Sequence, residues 1–141
     1  MPAKNVTIIA YATANTNTDY VVNHWQQKLG GGAEKNETNY TLYNPEALKG
    51  TTDKSVTPAV KSYPGFTAPA TTTVTINGNR TTVVNYYYTR NSYTVSLTKG
   101  EGISSVSGAG IYQFGASVTI TATVASGYTW NGWSGEITSS Q

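Results

Sequence analysis

The sequence predicts a mainly β chain of the β-rich α+β type, and three observations support this prediction. Threonine, valine and tyrosine, which suit a pleated and half-buried surface, are abundant among the 141 residues, with 11 tyrosines alone. Several stretches alternate apolar with polar residues, whereas apolar positions at helical spacing are hard to find. Glycine-rich and Asn-Gly segments separate these stretches. We therefore expect many short strands and at most one short helix.

The first third of the chain predicts three strands. Residues 5–14 place Val6, Ile8 and Ala10 on one face. Residues 19–29 alternate up to a triple glycine, and residues 39–49 form a strand that is interrupted near its proline. A proline inside a strand indicates a sheet edge or a bulge.

The middle of the chain predicts one helical turn and one hairpin. Thr57 can cap a short helix or 3₁₀ turn over residues 58–62, because proline is tolerated at the first helical position. Further on, Asn77-Gly78 lies between two β-branched runs, residues 71–76 and 81–89. Asn-Gly in this setting is a strong hairpin signal, so we expect the two runs to pair with each other.

The last third predicts short strands around glycine-rich turns. Alternation indicates strands over residues 93–98 and 118–124, with a shorter one at residues 103–106. The segment GYTWNGWSG then brings Trp130 and Trp133 close together. A large aromatic provides much of the burial in a small core, so we expect one of the two, and likewise Phe66, to be mostly buried.

The chain contains a short internal similarity. Residues 6–15 align with residues 82–91 at an offset of 76, and each segment is followed by a tyrosine that opens a new strand, Tyr20 or Tyr93. Either a true repeat or a chance similarity between two Thr/Val-rich strands would produce this pattern. A true repeat divides the chain into a closing strand and linker of a preceding repeat, a complete β-grasp-like repeat, and a truncated second repeat, at residues 1–18, 19–91 and 92–141.

The two incomplete ends of this division predict strand exchange. A lone strand over residues 6–12 would expose unpaired amides and an apolar face. The C-terminal unit, residues 93–141, would in turn lack its closing strand. Donation of the first into the second, in the same molecule or in a strand-exchanged oligomer, would satisfy both. A frayed N-terminal strand, or one paired at the edge of the complete repeat, are the alternatives.

Residues 19–90 resemble the mucin-binding-protein (MucBP) and internalin B-repeat group of β-grasp-like modules. The resemblance is carried by YVVNHWQQKLGG, ALKGTTDKSV, SYPGFTAP and INGNRTTVVNYYYTRN. Residues 93–141 resemble a divergent internalin B-repeat, through YTVSLTKGEGISSVSGAG, ASVTITATV and GYTWNGWSG. The resemblance implies a secreted or wall-attached protein of the bacterial cell surface, with no enzyme activity and no catalytic residue.

The composition excludes several functional classes. Charged residues make up 11% of the chain and the net charge is +2, so the dense Lys/Arg footprint of a nucleic-acid binder is missing. There is no cysteine, which excludes disulfides, thiolate metal ligands and cysteine nucleophiles. No apolar run approaches the roughly 20 residues of a membrane helix, and the start does not look like a signal peptide.

Candidate catalytic groups are sparse. His24 is the only histidine, and we expect it to be a partly exposed strand residue. The carboxylates are spread through loops, without the pairing that a glycosidase needs and without a calcium-loop spacing. We therefore expect no enzyme, no catalytic residue, no metal site and no cofactor.

The tyrosine run at residues 86–88 supplies the one feature that suggests a ligand. In a strand Tyr86 and Tyr88 share a face, while Tyr87 points the other way. An exposed tyrosine near Trp25 or Tyr43 could stack on a sugar ring. The candidate glycan or partner contacts are therefore Trp25, Tyr43, Tyr87 and Trp130. Cross-strand aromatic packing that merely stabilises the sheet would explain the same pattern.

Two functions fit these observations. The first is a non-catalytic stalk or spacer module of an adhesin, in contact with neighbouring repeats and weakly with a host glycoprotein or polysaccharide. The alternative is a carbohydrate-binding module of a secreted glycan-active enzyme. An aromatic platform on a solvent-exposed face would favour the alternative. Both place the chain outside the cell, at the bacterial surface or in the wall.

Overall fold

The computed structural model describes residues 3–135, and these form an all-β structure without helices. Within this range no helix has the length and apolarity that crossing a membrane requires. The strands, in chain order, are β1 (Thr18–Gln27), β2 (Tyr40–Leu42), β3 (Glu46–Gly50), β4 (Ser55–Val56), β5 (Phe66–Thr67), β6 (Val74–Thr75), β7 (Val83–Arg90), β8 (Ser92–Val95), β9 (Ile103–Ser107), β10 (Gly110–Gln113) and β11 (Thr121–Val124).

The largest sheet is built around the parallel pair β1 and β7. The order is β2-β1-β7-β5, with β3 also paired antiparallel to β1. Parallel neighbours require a long crossover, and residues 28–82 provide it. The break predicted near Pro45 is confirmed, because the chain on either side of it forms the separate strands β2 and β3.

The core lies on one face of this sheet and follows the predicted alternation. Every second residue points inward and is almost completely buried from Thr18 to His24 in β1 and from Val84 to Tyr88 in β7. The central apolar members are Tyr20, Val22, Ile76, Val84, Tyr86 and Tyr88, with His24 buried among them. The structure therefore confirms that Tyr86 and Tyr88 share a buried face.

The C-terminal part consists of two separate two-stranded sheets, β8–β10 and β9–β11. The strand predicted at residues 103–106 is confirmed as β9, while β8 and β11 are shorter than predicted. No side chain within residues 92–135 is fully buried. This region therefore has no dry core of its own among the described residues.

Three expectations about local structure are wrong. Residues 5–14 form no strand. No helix forms over residues 58–62, because the Pro58 carbonyl accepts the Tyr86 hydroxyl (2.6 Å) and the Lys61 amide donates to the Tyr88 hydroxyl (2.7 Å). Both backbone groups are thus satisfied by core tyrosines rather than by a helical turn.

The third wrong expectation is the hairpin predicted at Asn77-Gly78. A turn is present, with the Arg80 amide bonded to the Asn77 carbonyl and Arg80 at φ 63°. The strands that it joins, however, pair elsewhere: β6 pairs with β4, and β7 pairs with β1. The Asn77 amide donates to the Thr82 hydroxyl (2.8 Å), so a side chain occupies a backbone donor beside the turn. Burial of the β7 tyrosines against β1 decides the pairing.

Candidate functional site

The outer face of the large sheet carries a pair of aromatic rings. Trp25 on β1 and Tyr87 on β7 are register partners, and their rings stack with centroids 6.0 Å apart at an angle of 14°. Tyr40 on β2 meets the Tyr87 ring edge-on at 5.0 Å. We call Trp25, Tyr87 and Tyr40 the outer aromatic cluster.

Two asparagines adjoin this cluster. The Asn85 side-chain carbonyl accepts the Trp25 indole N–H (2.9 Å) and the Asn23 amide (3.0 Å). These bonds fix the orientation of the indole, and they occupy the side-chain carbonyl of Asn85 and the side-chain amide of Asn23. The Asn85 amide donors and the Asn23 carbonyl have no hydrogen-bond partner within residues 3–135, and Asn85 is exposed. A donor and an acceptor therefore lie next to an aromatic surface.

The loop after β1 forms one rim of the outer aromatic cluster. The Gln27 amide donates to the carbonyls of Gly31 (2.8 Å) and Gly32 (3.0 Å), which holds the loop against the sheet. The Lys35 ammonium then lies 5.6 Å from the centre of the Tyr87 ring. The face thus combines aromatic surface, amide groups and one cation, a set that can stack on sugar rings and bond their hydroxyls.

The four candidate contacts do not form one site. Trp25 and Tyr87 come together, as described. Tyr43 is 61% exposed but packs edge-on against Tyr63 at 5.2 Å, beside the inner-face cluster. Trp130 belongs to the C-terminal part, where it contacts Trp133.

The two C-terminal tryptophans line a cleft instead of filling a core. Trp130 is 46% and Trp133 is 43% exposed, so the expectation that one of them is mostly buried is wrong. Their rings meet edge-to-face at 75°, which provides no flat platform. The cleft has a volume of about 460 Å³, with Lys99 and Glu101 among its lining residues. The described part of this region supplies too little apolar surface to enclose either indole.

Phe66, by contrast, is mostly buried, as predicted, because it packs against the core of the large sheet. It also packs edge-on against Phe114, with their centroids 6.2 Å apart, while the Arg90 guanidinium lies 4.8 Å from its ring.

His24 is fully buried, which corrects the expectation of a partly exposed residue. Its Nδ1 lies 2.7 Å from the Tyr88 hydroxyl, and its Nε2 lies 3.0 Å from Glu46 Oε2. Because the Tyr88 oxygen already accepts the Lys61 amide, its own proton is free to go to Nδ1. Nδ1 then accepts from the phenol and Nε2 donates to Glu46, so both ring nitrogens have a partner.

Glu46 connects this buried ring to the surface. Its Oε1 lies 2.7 Å from the Lys61 ammonium. The hydrogen bond from Lys61 and the weaker one from His24 lower the pKa of Glu46. Burial raises the pKa of Tyr88. The His24 ring packs against Tyr63, Tyr86 and Tyr88, so the buried end of the network is part of the core.

A further group of residues, which no sequence pattern predicts, joins the two halves of the chain. The Phe114 ring lies over Gly65, whose φ is 76° and where an added Cβ would come within 2.1 Å of the ring. Arg90 donates from its guanidinium to the Phe114 carbonyl (2.7 Å) and the Gln27 carbonyl (3.0 Å). Gln113 accepts the Gly30 amide at 2.7 Å. We call these residues the junction.

The C-terminal part matches a known family. A family model described as the divergent InlB B-repeat domain matches residues 93–141. Domains of this family occur as repeat modules in bacterial surface proteins. No curated protein and no solved structure matches the chain. The match does not extend to residues 19–91, so their MucBP-like assignment stays a prediction.

Proposed function

We propose that the chain is a non-catalytic spacer of a secreted or wall-attached bacterial adhesin, built from successive repeats. Two observations support it: the family match of the C-terminal part and the junction between the two parts. We further propose that residues 19–91 are a β-grasp-like repeat of the MucBP type. The parallel pairing of the first and last long strands supports that assignment.

The junction is the observation on which the spacer role rests. A single residue, Asn91, separates β7 from β8. Its amide bonds to the Gly65 carbonyl (2.9 Å), and its carbonyl accepts the Phe114 amide (2.8 Å). The linker backbone is therefore bonded to both parts. A stalk has to transmit its direction from one repeat to the next, and a bonded linker beneath a packed Phe114 ring restricts bending.

Cell-surface labelling tests the location. Antibodies against the purified chain are expected to label intact cells of the source bacterium without permeabilisation. Mild protease treatment of those cells should remove the signal while a cytoplasmic marker stays intact. Labelling that requires permeabilisation would contradict the proposal.

A second candidate function is carbohydrate binding at the outer aromatic cluster. The observation that favours it is the unused amide donor of the exposed Asn85 and the unused carbonyl of the half-buried Asn23, next to the Trp25–Tyr87 pair. Aromatic stacking combined with amide hydrogen bonds is the chemistry that recognises pyranose rings. A neutral or acidic polysaccharide fits best, because the neighbouring cation is Lys35.

A glycan titration followed by NMR tests this function. Binding at the outer aromatic cluster is expected to shift the Trp25 indole and Asn85 amide signals and leave the Trp130 indole unchanged. Asn85→Ala should weaken binding about tenfold, the loss of roughly 1.4 kcal/mol that a hydrogen bond supplies. Trp130→Phe is the matched control. Shifts confined to Trp130, or none with any glycan on an array, would contradict it.

A further inference from the structure

The cleft of the C-terminal part serves neither the junction nor the outer aromatic cluster. Three aromatic side chains line it, and water reaches all of them: Tyr128 is 53%, Trp130 is 46% and Trp133 is 43% exposed. A contiguous exposed aromatic surface of this kind marks a binding site more often than scattered single residues do. The cleft volume of about 460 Å³ falls within the roughly 300–1,000 Å³ of small-molecule sites.

The floor and one wall of this cleft are held in place by the β9–β11 sheet and the turn before it. The residues of the sheet that line the floor are Ile103, Val106 and Ala122. The Tyr128 ring lies over Gly102, where an added Cβ would come within 2.3 Å of it. The Ala125 amide donates to the Gly102 carbonyl (2.8 Å), and the Tyr128 amide donates to the Ala125 carbonyl (3.2 Å). This wall is therefore formed before any ligand binds.

The two tryptophans form a corner of the cleft. Their ring centroids are 5.6 Å apart and the ring planes meet at 75°. A flat sugar ring cannot stack on both faces of such a corner, whereas a compact and rounded ligand can contact both. The face of an aromatic ring is electrostatically negative, so a cation is the rounded ligand that these faces attract.

Glu101 adds a negative charge to the same lining. The residue is exposed, and within residues 3–135 its carboxylate forms no ion pair. Lys99 also lines the cleft, but its ammonium lies 3.5 Å from the carbonyl of Ser104, a residue outside the lining. The charge that is free to complement a ligand is therefore the carboxylate of Glu101.

We propose that this cleft binds a methylated ammonium group of the kind that choline carries. Tyr128, Trp130 and Trp133 contact the methyl groups, and Glu101 balances the charge. A trimethylammonium group has no N–H to donate, so it needs no hydrogen-bond acceptor and matches walls that are mainly aromatic. This binding is additional to the spacer role, which stands without it.

An NMR titration of the whole chain with choline chloride tests the proposal. The indole signals of Trp130 and Trp133 are expected to shift to saturation, with a dissociation constant on the order of 1 mM, while Trp25 stays unchanged as the internal reference. The uncharged isostere, in which a tert-butyl group replaces the trimethylammonium, should bind at least about tenfold more weakly. Sodium chloride at the same concentration should cause no saturable shift.

Two substitutions separate the charge from the aromatic walls. Glu101→Gln keeps the shape of the side chain and should weaken choline binding about fivefold without changing the binding of the isostere. Glu37→Gln removes an exposed carboxylate outside the cleft and is the matched control. Trp130→Ala should abolish saturable binding, and an unchanged Trp25 signal would show that the large sheet is intact. The Glu101→Gln comparison decides the matter even if Trp130→Ala unfolds the C-terminal part.

Vesicles distinguish the sources of the group. Cosedimentation with phosphatidylcholine vesicles, but not with phosphatidylglycerol vesicles, would identify a lipid head group as the source. Choline binding without cosedimentation would identify a trimethylammonium group outside a bilayer. Equal affinity for choline and its isostere, equal effects of Glu101→Gln and Glu37→Gln, or shifts confined to Trp25 would overturn the proposal.

Discussion

The three consecutive tyrosines of β7 allow a matched series of Tyr→Phe substitutions. Tyr88→Phe removes a buried hydroxyl that accepts the Lys61 amide and bonds His24 Nδ1, so it leaves two polar groups without a partner. Each unsatisfied buried group costs about 1–3 kcal/mol, so two of them lower the free energy of unfolding by about 2–6 kcal/mol. That is a large share of the roughly 5–15 kcal/mol that typically stabilise a domain.

The other two members of the series set the scale. Tyr86→Phe leaves the Pro58 carbonyl and the Thr72 amide without their hydrogen-bond partner. Because Thr72 is exposed, water can replace the bond to its amide. The expected loss is about 1–2 kcal/mol. Tyr87→Phe is the control, because its hydroxyl has no hydrogen-bond partner within residues 3–135, and its cost should stay within about 0.5 kcal/mol.

Urea unfolding followed by circular dichroism measures the three losses under identical conditions. The expected order is Tyr88→Phe largest, Tyr86→Phe intermediate and Tyr87→Phe smallest, with unchanged denaturant slopes. A Tyr88→Phe variant as stable as Tyr87→Phe would refute the reasoning, since His24 would then not depend on the phenol.

Two further predictions concern Glu46 and the junction. The pKa of Glu46 is lowered from its usual 4.5. The stability that the ionised Glu46 adds to the folded state is therefore complete above pH 4.5 and is lost as the pH falls through the pKa of the folded state. The difference in melting temperature between the natural chain and Glu46→Gln should be constant near neutrality and become smaller below pH 4.5. A gap that widens in acid would contradict this. Gly65→Ala should displace the Phe114 ring and lower stability by at least about 1 kcal/mol, because alanine is strained at φ 76° and its Cβ would lie 2.1 Å from the ring. Gly100→Ala, with open space around it, is the control, and equal NMR shifts of Phe114 in both variants would count against the junction.

Local patterns predicted those elements whose signal is itself local. Alternation along β1 and β7 assigned the strands and put Tyr86 and Tyr88 on one face, because side-chain direction in a strand depends only on residue parity. The break at Pro45 was also predictable locally, because proline has no amide hydrogen to donate to a strand ladder.

Long-range choices were not readable. The Asn77-Gly78 turn was recognised, but its strands pair with others, since the burial of the β7 tyrosines outweighs a local turn preference. His24 is buried because Glu46 and Tyr88, 22 and 64 residues away, satisfy both ring nitrogens.

The outer aromatic cluster was predictable only in part. The alternation of side chains along a strand showed that Tyr87 points away from the core. It did not show that Tyr87 stacks on Trp25, or that Tyr43 lies elsewhere, against Tyr63. The junction was not predictable, because no sequence pattern around Phe114 or Gly65 indicates that the two residues contact each other. The Pro64-Gly65 pair indicates a turn, but the φ of 76° at Gly65 and the ring above it are visible only in the structure.

Backbone ¹⁵N relaxation of the whole chain tests most directly the central claim, that the two parts form one stiff spacer. We expect the amides of β1, β7, β8 and β10 to share a single rotational diffusion tensor, because Asn91 and the junction bond the parts together. Two distinct correlation times, with fast motion at Asn91, would contradict the account.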